Sequence, residues 1–367
     1  MADRLRVGVI GCGNISQIYF TASKAFKVLE LAACADLNRE AASAKAAEHG
    51  LKAMSVEELL ADKSIDIVLN LTTPLAHTEV NLKSLEAGKH VYLEKPLAVE
   101  REDGRRTLEL AKGKGLRVGC APDTFLGAGH QTCRKIVDDG WLGRPVGGTA
   151  FMLCGGHESW HPNPGFYYLK GGGPMLDMGP YYITALVNML GPVRRVSSAT
   201  GMALEQRICT CKERFGERLP VETPTHIAGT AEFASGAIVS VVMSFDVKAH
   251  THSNIEIYGT EGSLVAPDPN SFGGVPKVKR AGAQDWSDFP LSHIYADNTR
   301  SIGLADMADA ILKGRPHRCS GELAFHVLDV MQSFLESSQN GSHCVLKSSC
   351  SRPEPLPGGL LHGQVEL

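Results

Sequence analysis

Leu5-Arg6-Val7-Gly8-Val9-Ile10-Gly11-Cys12-Gly13-Asn14-Ile15-Ser16 decides the fold. Residues 5–10 read as a short buried strand, and a helical segment follows the turn at Gly11–Gly13. In such a strand–turn–helix, Gly11 allows a tight turn, and Gly13 has no side chain to keep a pyrophosphate from the backbone. A helix starting near Asn14 and Ile15 would aim its free N–H groups and dipole at that anion. Ser16 stands where the full fingerprint has its third glycine or alanine, and is small enough to keep helix and sheet close. An ordinary glycine-rich turn has the same composition; the placement between first strand and first helix favours dinucleotide binding.

Outward from this stretch, strands and helices alternate. Apolar runs at Leu29–Ala35, Ile65–Leu69, His90–Leu93 and Arg117–Ala121 read as strands two to five. Helical segments are expected at Glu40–Glu48, Ala76–Ala87 and Arg105–Lys112. Such alternation needs crossover connections, hence a doubly wound parallel sheet with helices on both faces, a Rossmann fold. From about Val146 the pattern changes to period-two alternation. Thr225–Phe233 and Gly236–Phe245 flank a hairpin turn at Ala234-Ser235, and Asn254–Tyr258 and Ser263–Val265 continue the run. The second unit is therefore expected to be a mostly antiparallel open sheet with helices on one face, such as Pro180–Leu190. The division falls near Pro122: a dinucleotide-binding domain over 1–122, and an α+β domain for substrate and oligomer contacts over 123–367. Late helices at Asp306–Leu312 and Glu322–Ser337 can pack on either, and the Pro- and Gly-rich tail from Arg352 is expected to be loosely ordered.

The 367 residues suit two domains, and 43% hydrophobic with 21% charged residues is a globular balance. A net charge of −3 gives no reason to invoke nucleic acid or a membrane surface. Met1-Ala2-Asp3-Arg4 lacks the apolar stretch of a secretory leader, no run is long enough to span a bilayer, and ten cysteines without a CxxC pair suit reduced thiols. A cytoplasmic location is the expectation.

Asp36 ends the second strand, where a carboxylate can accept both adenosine ribose hydroxyls and repel a 2′-phosphate. NAD is favoured, with NADP left open because Arg39 is near; a surface-turn role for Asp36 also stays open. In a parallel sheet the carboxyl ends of the strands face the ligand crevice, so Thr72, Thr73 and Pro74 are expected beside the cofactor. His77 is placed there as a helix cap or lining residue rather than a chemical one. Glu94-Lys95-Pro96 closes the fourth strand. Beside a cationic nicotinamide and away from water, the Lys95 pKa is expected to fall, so that its amine can take a proton from a substrate hydroxyl. A solvated surface lysine is the alternative.

The segments Gly11–Ser16, Thr73-Pro74 with His77, Glu94-Lys95-Pro96, Gly171-Gly172-Gly173-Pro174-Met175-Leu176-Asp177-Met178-Gly179 and Ile257-Tyr258-Gly259-Thr260-Glu261-Gly262 together resemble the Gfo/Idh/MocA family, named for glucose–fructose oxidoreductase and inositol dehydrogenase. The resemblance covers nearly the whole chain. It implies a catalytic lysine at Lys95 and NAD(P)-dependent hydride transfer at a carbinol carbon of a sugar, cyclitol or glycoside. It also implies oligomer contacts through the second sheet, hence a homodimer or homotetramer.

One position departs from the pattern: family members commonly carry histidine four residues after the aspartate matched by Asp177, and here it is Tyr181. Pro180 suits a first helical position, so the helix is expected to start there, with Asp177 just before it and Ile183, Leu186, Val187 and Leu190 on its core face. With a pKa ordinarily near 10, Tyr181 is a poorer base than histidine. It is expected either to orient substrate while Lys95 carries the proton or to be a packed core tyrosine. Upstream, Gly155–Tyr168 is rich in aromatics and histidine; His157, Trp160 and His161 are candidates for a sugar pocket and for the missing imidazole. A metal at this pair lacks a third ligand at useful spacing. Asp123, after the fifth strand, could reach the same crevice or serve a turn. Two other classes stay open: an NAD-dependent glycosidase working by transient oxidation, and a non-catalytic nucleotide sensor, against which the intact Glu94-Lys95 argues.

Overall fold

The computed structural model describes residues 4–367. Met1, Ala2 and Asp3, where the absence of an apolar leader was noted, lie outside the described residues. Among the described residues no helix is long and apolar enough to cross a membrane.

β1 (Leu5–Ile10), β2 (Leu29–Ala35), β3 (Lys52–Met54), β4 (Ile67–Asn70), β5 (His90–Leu93) and β6 (Val118–Cys120) form a parallel sheet in the order β3-β2-β1-β4-β5-β6. The central strands are apolar on both faces because helices cover both: Val7, Val9, Ile67, Val68 and Leu69 are fully buried. Those helices are α1 (Ser16–Ala22), α2 (Arg39–His49), α3 (Val56–Ala61), α4 (His77–Glu86) and α5 (Arg101–Gly113). Local chemistry sets their starts: the Asn38 side chain accepts the N–H groups of Glu40 and Ala41, and Ser55 with Glu58 forms a capping box on α3. The strand expected third is thus β4. β3 escapes notice in the sequence because it is three residues long, lies at the edge and exposes Lys52 and Ala53, which leaves no buried periodicity.

The second sheet has nine strands in the order β16-β15-β14-β13-β7-β12-β11-β8-β17. They are β7 (Pro145–Leu153), β8 (Val193–Gly201), β11 (His226–Phe233), β12 (Ile238–Ser244), β13 (Ile255–Gly259), β14 (Gly262–Ala266), β15 (Lys277–Arg280), β16 (Ser287–Asp288) and β17 (Cys344–Val345). Every pairing is antiparallel except β7 with β12. The expected hairpin forms, but its loop runs over 234–237 rather than two residues, with Gly236 at φ 89°. β9 (Gln206–Ile208) and β10 (Arg218–Pro220) make a separate small ribbon.

α6 (Ala128–Asp138) and α7 (Gly173–Leu190) pack in the core of this half. α7 begins seven residues before the expected start at Pro180. Pro174 already fills the tolerant first turn, and the apolar face is long enough to keep Pro180 inside the helix. α8 (Ile302–Lys313) packs on β6, and α9 (Gly321–Asn340) joins the two sheets, lying against α5 and β6 on one side and α7 and β8 on the other. Arg101 Nε donates to Asp329 Oδ1 at 2.6 Å across the α5–α9 contact. The tail is not loose. Leu356, Leu360 and Val365 are buried, and its carbonyls take donors from buried arginines, with Arg134 Nη1 at 2.8 Å from the Pro353 oxygen and Arg318 Nη2 at 3.1 Å from that of Pro355.

Candidate active site

The sheet order reverses direction between β1 and β4, which opens a crevice at their carboxyl ends. Gly11 has φ 105°, and a Cβ there would meet the Leu71 carbonyl carbon at 2.6 Å, so the strand ends pass too closely for any side chain. Around Gly13 nothing lies within 4 Å of a built Cβ, so the turn faces open space of the kind a pyrophosphate needs. Asn14 and Ile15 form the exposed bend, and α1 starts at Ser16, two residues later than expected, with Ser16 Oγ donating to the Gly13 carbonyl at 2.7 Å. Asp36 reaches across: its Oδ2 accepts the Cys12 N–H at 2.7 Å and its Oδ1 the Asn38 N–H at 2.8 Å. Each oxygen keeps a lone pair for a ribose hydroxyl.

The second wall follows β4. Thr72 donates its hydroxyl to Asn70 Oδ1 at 2.7 Å, and Thr73 precedes a single turn opened by Pro74. His77 opens α4, fully buried, with Nδ1 2.8 Å from the Pro96 carbonyl and Nε2 3.1 Å from that of Thr72. Burial pulls its pKa below the ordinary value while the two carbonyls oppose that shift, and the ring lies between the loop after β4 and the loop after β5.

At the end of β5, the buried Glu94 accepts the Tyr19 hydroxyl at 2.7 Å and the Lys95 N–H at 3.0 Å. Lys95 precedes a cis peptide bond to Pro96 and points into α7. Its Nζ donates to the Asp177 carbonyl at 2.7 Å and to Asp177 Oδ1 at 2.9 Å. Pro180 supplies no N–H to the carbonyl of Leu176 and crowds it, which loosens this turn of α7 beside the carbonyl that Lys95 takes. Asp177 and Tyr181 are four residues apart on α7, so both face the crevice, and Lys95 Nζ sits 5.2 Å from the Tyr181 ring centroid. Because α7 starts early, Asp177 is held by the helix rather than by a loop.

His157 Nε2 lies 3.3 Å from Asp177 Oδ2, completing a Lys95–Asp177–His157 chain. Its ring packs edge-on against Trp160, Tyr167 and Phe245. Trp160 itself is 61% exposed, and His161 lies further out, its Nδ1 accepting the Asn163 N–H. Burial works against both charges of the central pair, but the pair outweighs it. Asp177, beside Lys95 and His157, is pulled down to about 2, and Asp177 holds the Lys95 ammonium above the ordinary lysine range. The expected fall of the Lys95 pKa is therefore reversed in the free protein.

Asp123 stands apart. It is 1% exposed, and its Oδ2 accepts the N–H groups of Ser301 and Gly303 at 3.0 and 3.1 Å, fixing the start of α8. Ser301 there holds φ 103°, a strain of order 1–3 kcal/mol that these bonds and the Ser23 hydroxyl maintain.

Four residues not singled out in the sequence complete the site. Tyr19 holds Glu94. Tyr167 lies across the pocket, where burial and then the Asp177 charge push its phenol up to about 12. Arg300, before Ser301, faces the Tyr181 hydroxyl. Arg207, almost wholly buried, binds the carbonyls of Gly155 (3.0 Å) and Phe245 (2.9 Å) together with Glu158 (2.9 Å) and Asp246, and so anchors the loop that carries His157. Its one clue is an arginine alone at the inward position of the short strand 206–208.

A family model described as "Oxidoreductase family, NAD-binding Rossmann fold" matches residues 5–121, and one described as "GFO/IDH/MocA C-terminal domain" matches residues 130–265. An inositol 2-dehydrogenase of Saccharopolyspora erythraea is 33% identical over 77% of this chain and 79% of its own. A 1,5-anhydro-D-fructose reductase of Ensifer adhaerens is 28% identical over 78% and 83% respectively. Among solved structures, an NAD-binding oxidoreductase from Klebsiella pneumoniae superposes with TM-score 0.81 at 21% identity, covering 95% of this chain and 100% of that one. Levoglucosan dehydrogenase in complex with NADH and L-sorbose superposes with TM-score 0.79 at 22% identity, with the same coverage.

Proposed function

The chain belongs to the Gfo/Idh/MocA family of NAD-binding oxidoreductases, and from that premise we propose that it transfers hydride between the nicotinamide and a carbinol carbon of a sugar, cyclitol or glycoside, with Lys95 as general acid and base. The observation that carries this proposal is the Lys95–Asp177 pair, which brings a partly buried ammonium from the end of β5 against α7 beside the cofactor crevice. Residues 1–122 act as the cofactor domain and 123–367 as the substrate domain.

The cofactor residues fit NAD: Gly11, Gly13, Asn14 and Ile15 cradle the pyrophosphate, Asp36 takes the ribose, and Thr72, Thr73, Pro74 and His77 line the opposite wall. NAD supplies the hydride acceptor in oxidation and, when reduced, the donor. The protein's own part is to place and protonate the substrate. Lys95 Nζ donates its proton to the carbonyl oxygen in reduction and, once neutral, receives the hydroxyl proton in oxidation. Asp177 holds Nζ and accepts from a neighbouring hydroxyl. The Tyr181 phenol orients substrate, and its burial keeps it a donor, not a base. His157 aligns Asp177 from 3.3 Å and is the candidate to act in place of the imidazole missing from α7. Trp160 and His161 form the outer rim, where a ring face can cover a sugar's apolar face. Holding both reactants in attack geometry supplies much of the rate. Copies associate through the second sheet's outer face, where Ile238 is exposed.

The test is NADH production with inositols, aldoses, sugar acids and glycosides, for the natural protein and for Lys95→Met. NADH should form with at least one substrate and fall about 10²–10⁴-fold in Lys95→Met. NAD binding without net NADH from any well, or full turnover by Lys95→Met, overturns the proposal.

A further inference from the structure

The loop that carries His157 continues outward from the Lys95–Asp177 pair as a chain of touching rings. His157 lies 3.3 Å from the Asp177 carboxylate, the Tyr167 ring is centred 4.2 Å from the His157 ring, and the Phe166 ring 4.0 Å from that of Tyr167 at an interplanar angle of 32°. Trp160 also meets the His157 ring, edge-on at 5.2 Å. His161 joins the two outer members: its ring is centred 5.4 Å from Trp160 and 5.4 Å from Phe166, at 76° to each. Burial falls off along this chain, from His157 at 8% exposed to Phe166 at 47% and Trp160 at 61%. A lone exposed aromatic is ordinary, but here two of them flank one imidazole at the mouth of the crevice. His157 stands between them and Asp177, so both lie outside the place where a ring held by Lys95 and Asp177 would sit.

The backbone fixes this rim in advance. The His161 N–H donates to the His157 carbonyl and the Tyr168 N–H to that of Gly165, each at 3.0 Å, so both stretches of the loop are closed turns. The Tyr168 hydroxyl accepts the His157 N–H at 3.0 Å, and the buried Arg207 holds Gly155 and Glu158. Groups already held this way bind with little ordering cost. His161 Nδ1 accepts the Asn163 N–H at 3.0 Å, which leaves the neutral ring's proton on Nε2, and Nε2 has no partner among the described residues. A free donor flanked by two exposed rings suits a pyranose, whose C–H faces pack on aromatic rings while a hydroxyl takes the imidazole. We propose that Trp160, His161 and Phe166 form a second sugar subsite, so that the preferred substrate is a disaccharide: one ring is oxidised at Lys95 while the ring linked to it rests in this subsite. This substrate class rests on the sugar-dehydrogenase proposal and narrows it. The reaction is otherwise unchanged: hydride leaves the carbinol carbon of the inner ring for the nicotinamide, the hydroxyl proton passes to the neutral Lys95 amine, a carbonyl forms, and the glycosidic bond stays intact.

Calorimetric binding to the protein–NADH complex separates the subsite from the parent proposal, because it needs no turnover. The probes are matched pairs: cellobiose with methyl β-D-glucoside, maltose with methyl α-D-glucoside, and lactose with methyl β-D-galactoside. At least one disaccharide should bind about tenfold or more tightly than its methyl glycoside, from two added ring contacts. The ratio should shrink toward one in Trp160→Ala and in Phe166→Ala. Trp160→Tyr keeps a ring and should retain most of the preference, which guards against a folding defect in the alanine variants. Equal binding within every pair, no binding of any disaccharide, or a preference that survives both alanine changes overturns the subsite. So does a smaller assembly on sedimentation of Trp160→Ala, which would mean that a second copy of the chain covers the rim. NADH formation from monosaccharides alongside equal binding would leave the dehydrogenase proposal standing while this one falls.

Discussion

Replacing Asp177 by asparagine is expected to move the pH dependence of hydride transfer, because Asp177 holds the proton on Lys95. Two unit charges 2.9 Å apart attract by about 6 kcal/mol at an effective dielectric constant near 20, equivalent to about 4 pKa units. The lysine side chain is 18% exposed, so solvent screens part of this, and a shift of about 2 units is the working figure. In the natural protein Lys95 is an ammonium at neutral pH. On the proposed mechanism reduction needs the ammonium, so it is expected to be flat through neutrality and to fall only in strong alkali. Oxidation needs the free amine and rises with pH across the same range. In Asp177→Asn both limbs should move down by about 2 units, while the plateau drops because a hydroxyl acceptor is lost. The assay is kcat/KM against pH in both directions, with Lys95→Met as the control that should lack the limb. Limbs in the same place for both proteins would refute the claim that Lys95 titrates in catalysis under the control of Asp177.

Asp36→Asn keeps an acceptor for the Cys12 N–H but loses the charge; discrimination for NAD over NADP should fall by about 1–3 kcal/mol, roughly 5- to 150-fold in the ratio of kcat/KM, and an unchanged ratio would remove Asp36 from cofactor selection. Arg207→Ala leaves Glu158 and Asp246 without their cation and should cost about 3–5 kcal/mol, read as a lower urea midpoint at constant m; a loss below about 1 kcal/mol would mean the loop is anchored elsewhere. His130 is fully buried, and desolvation pulls its pKa down to about 4. Its neutral form is the stable one, so its full contribution is present above about pH 6.5 and is lost as pH falls toward 4, by about 3 kcal/mol in all. His130→Leu should flatten the stability curve over that interval, and an equal slope in both proteins would contradict it.

The positions proposed for the cofactor were legible in the sequence because the pattern that marks them is local. The turn at Gly11–Gly13, Asp36 at the end of β2 and Thr72–Pro74 after β4 each follow a strand directly, and a parallel sheet puts all such ends on one rim. β3 was missed for the opposite reason: a three-residue edge strand buries too little to leave a pattern. At α7 the sequence misled, since two prolines compete for the first turn and only the packed apolar face shows that Pro174 takes it. That choice puts Asp177 inside the helix, one turn from Tyr181.

What the sequence determined by itself was the succession of strands and helices, the glycine turn and the presence of Glu94-Lys95-Pro96 at a strand end. The tertiary structure decided the charge state of that lysine, through an aspartate 82 residues away. It also decided that Asp123 serves α8, that Arg300 faces Tyr181 across 119 residues of chain, and that Arg207 anchors the aromatic loop. These pairings depend on how two sheets and the late helices are brought together. Burial and proximity between distant segments set pKa values and free valences, and neither leaves a mark on local composition.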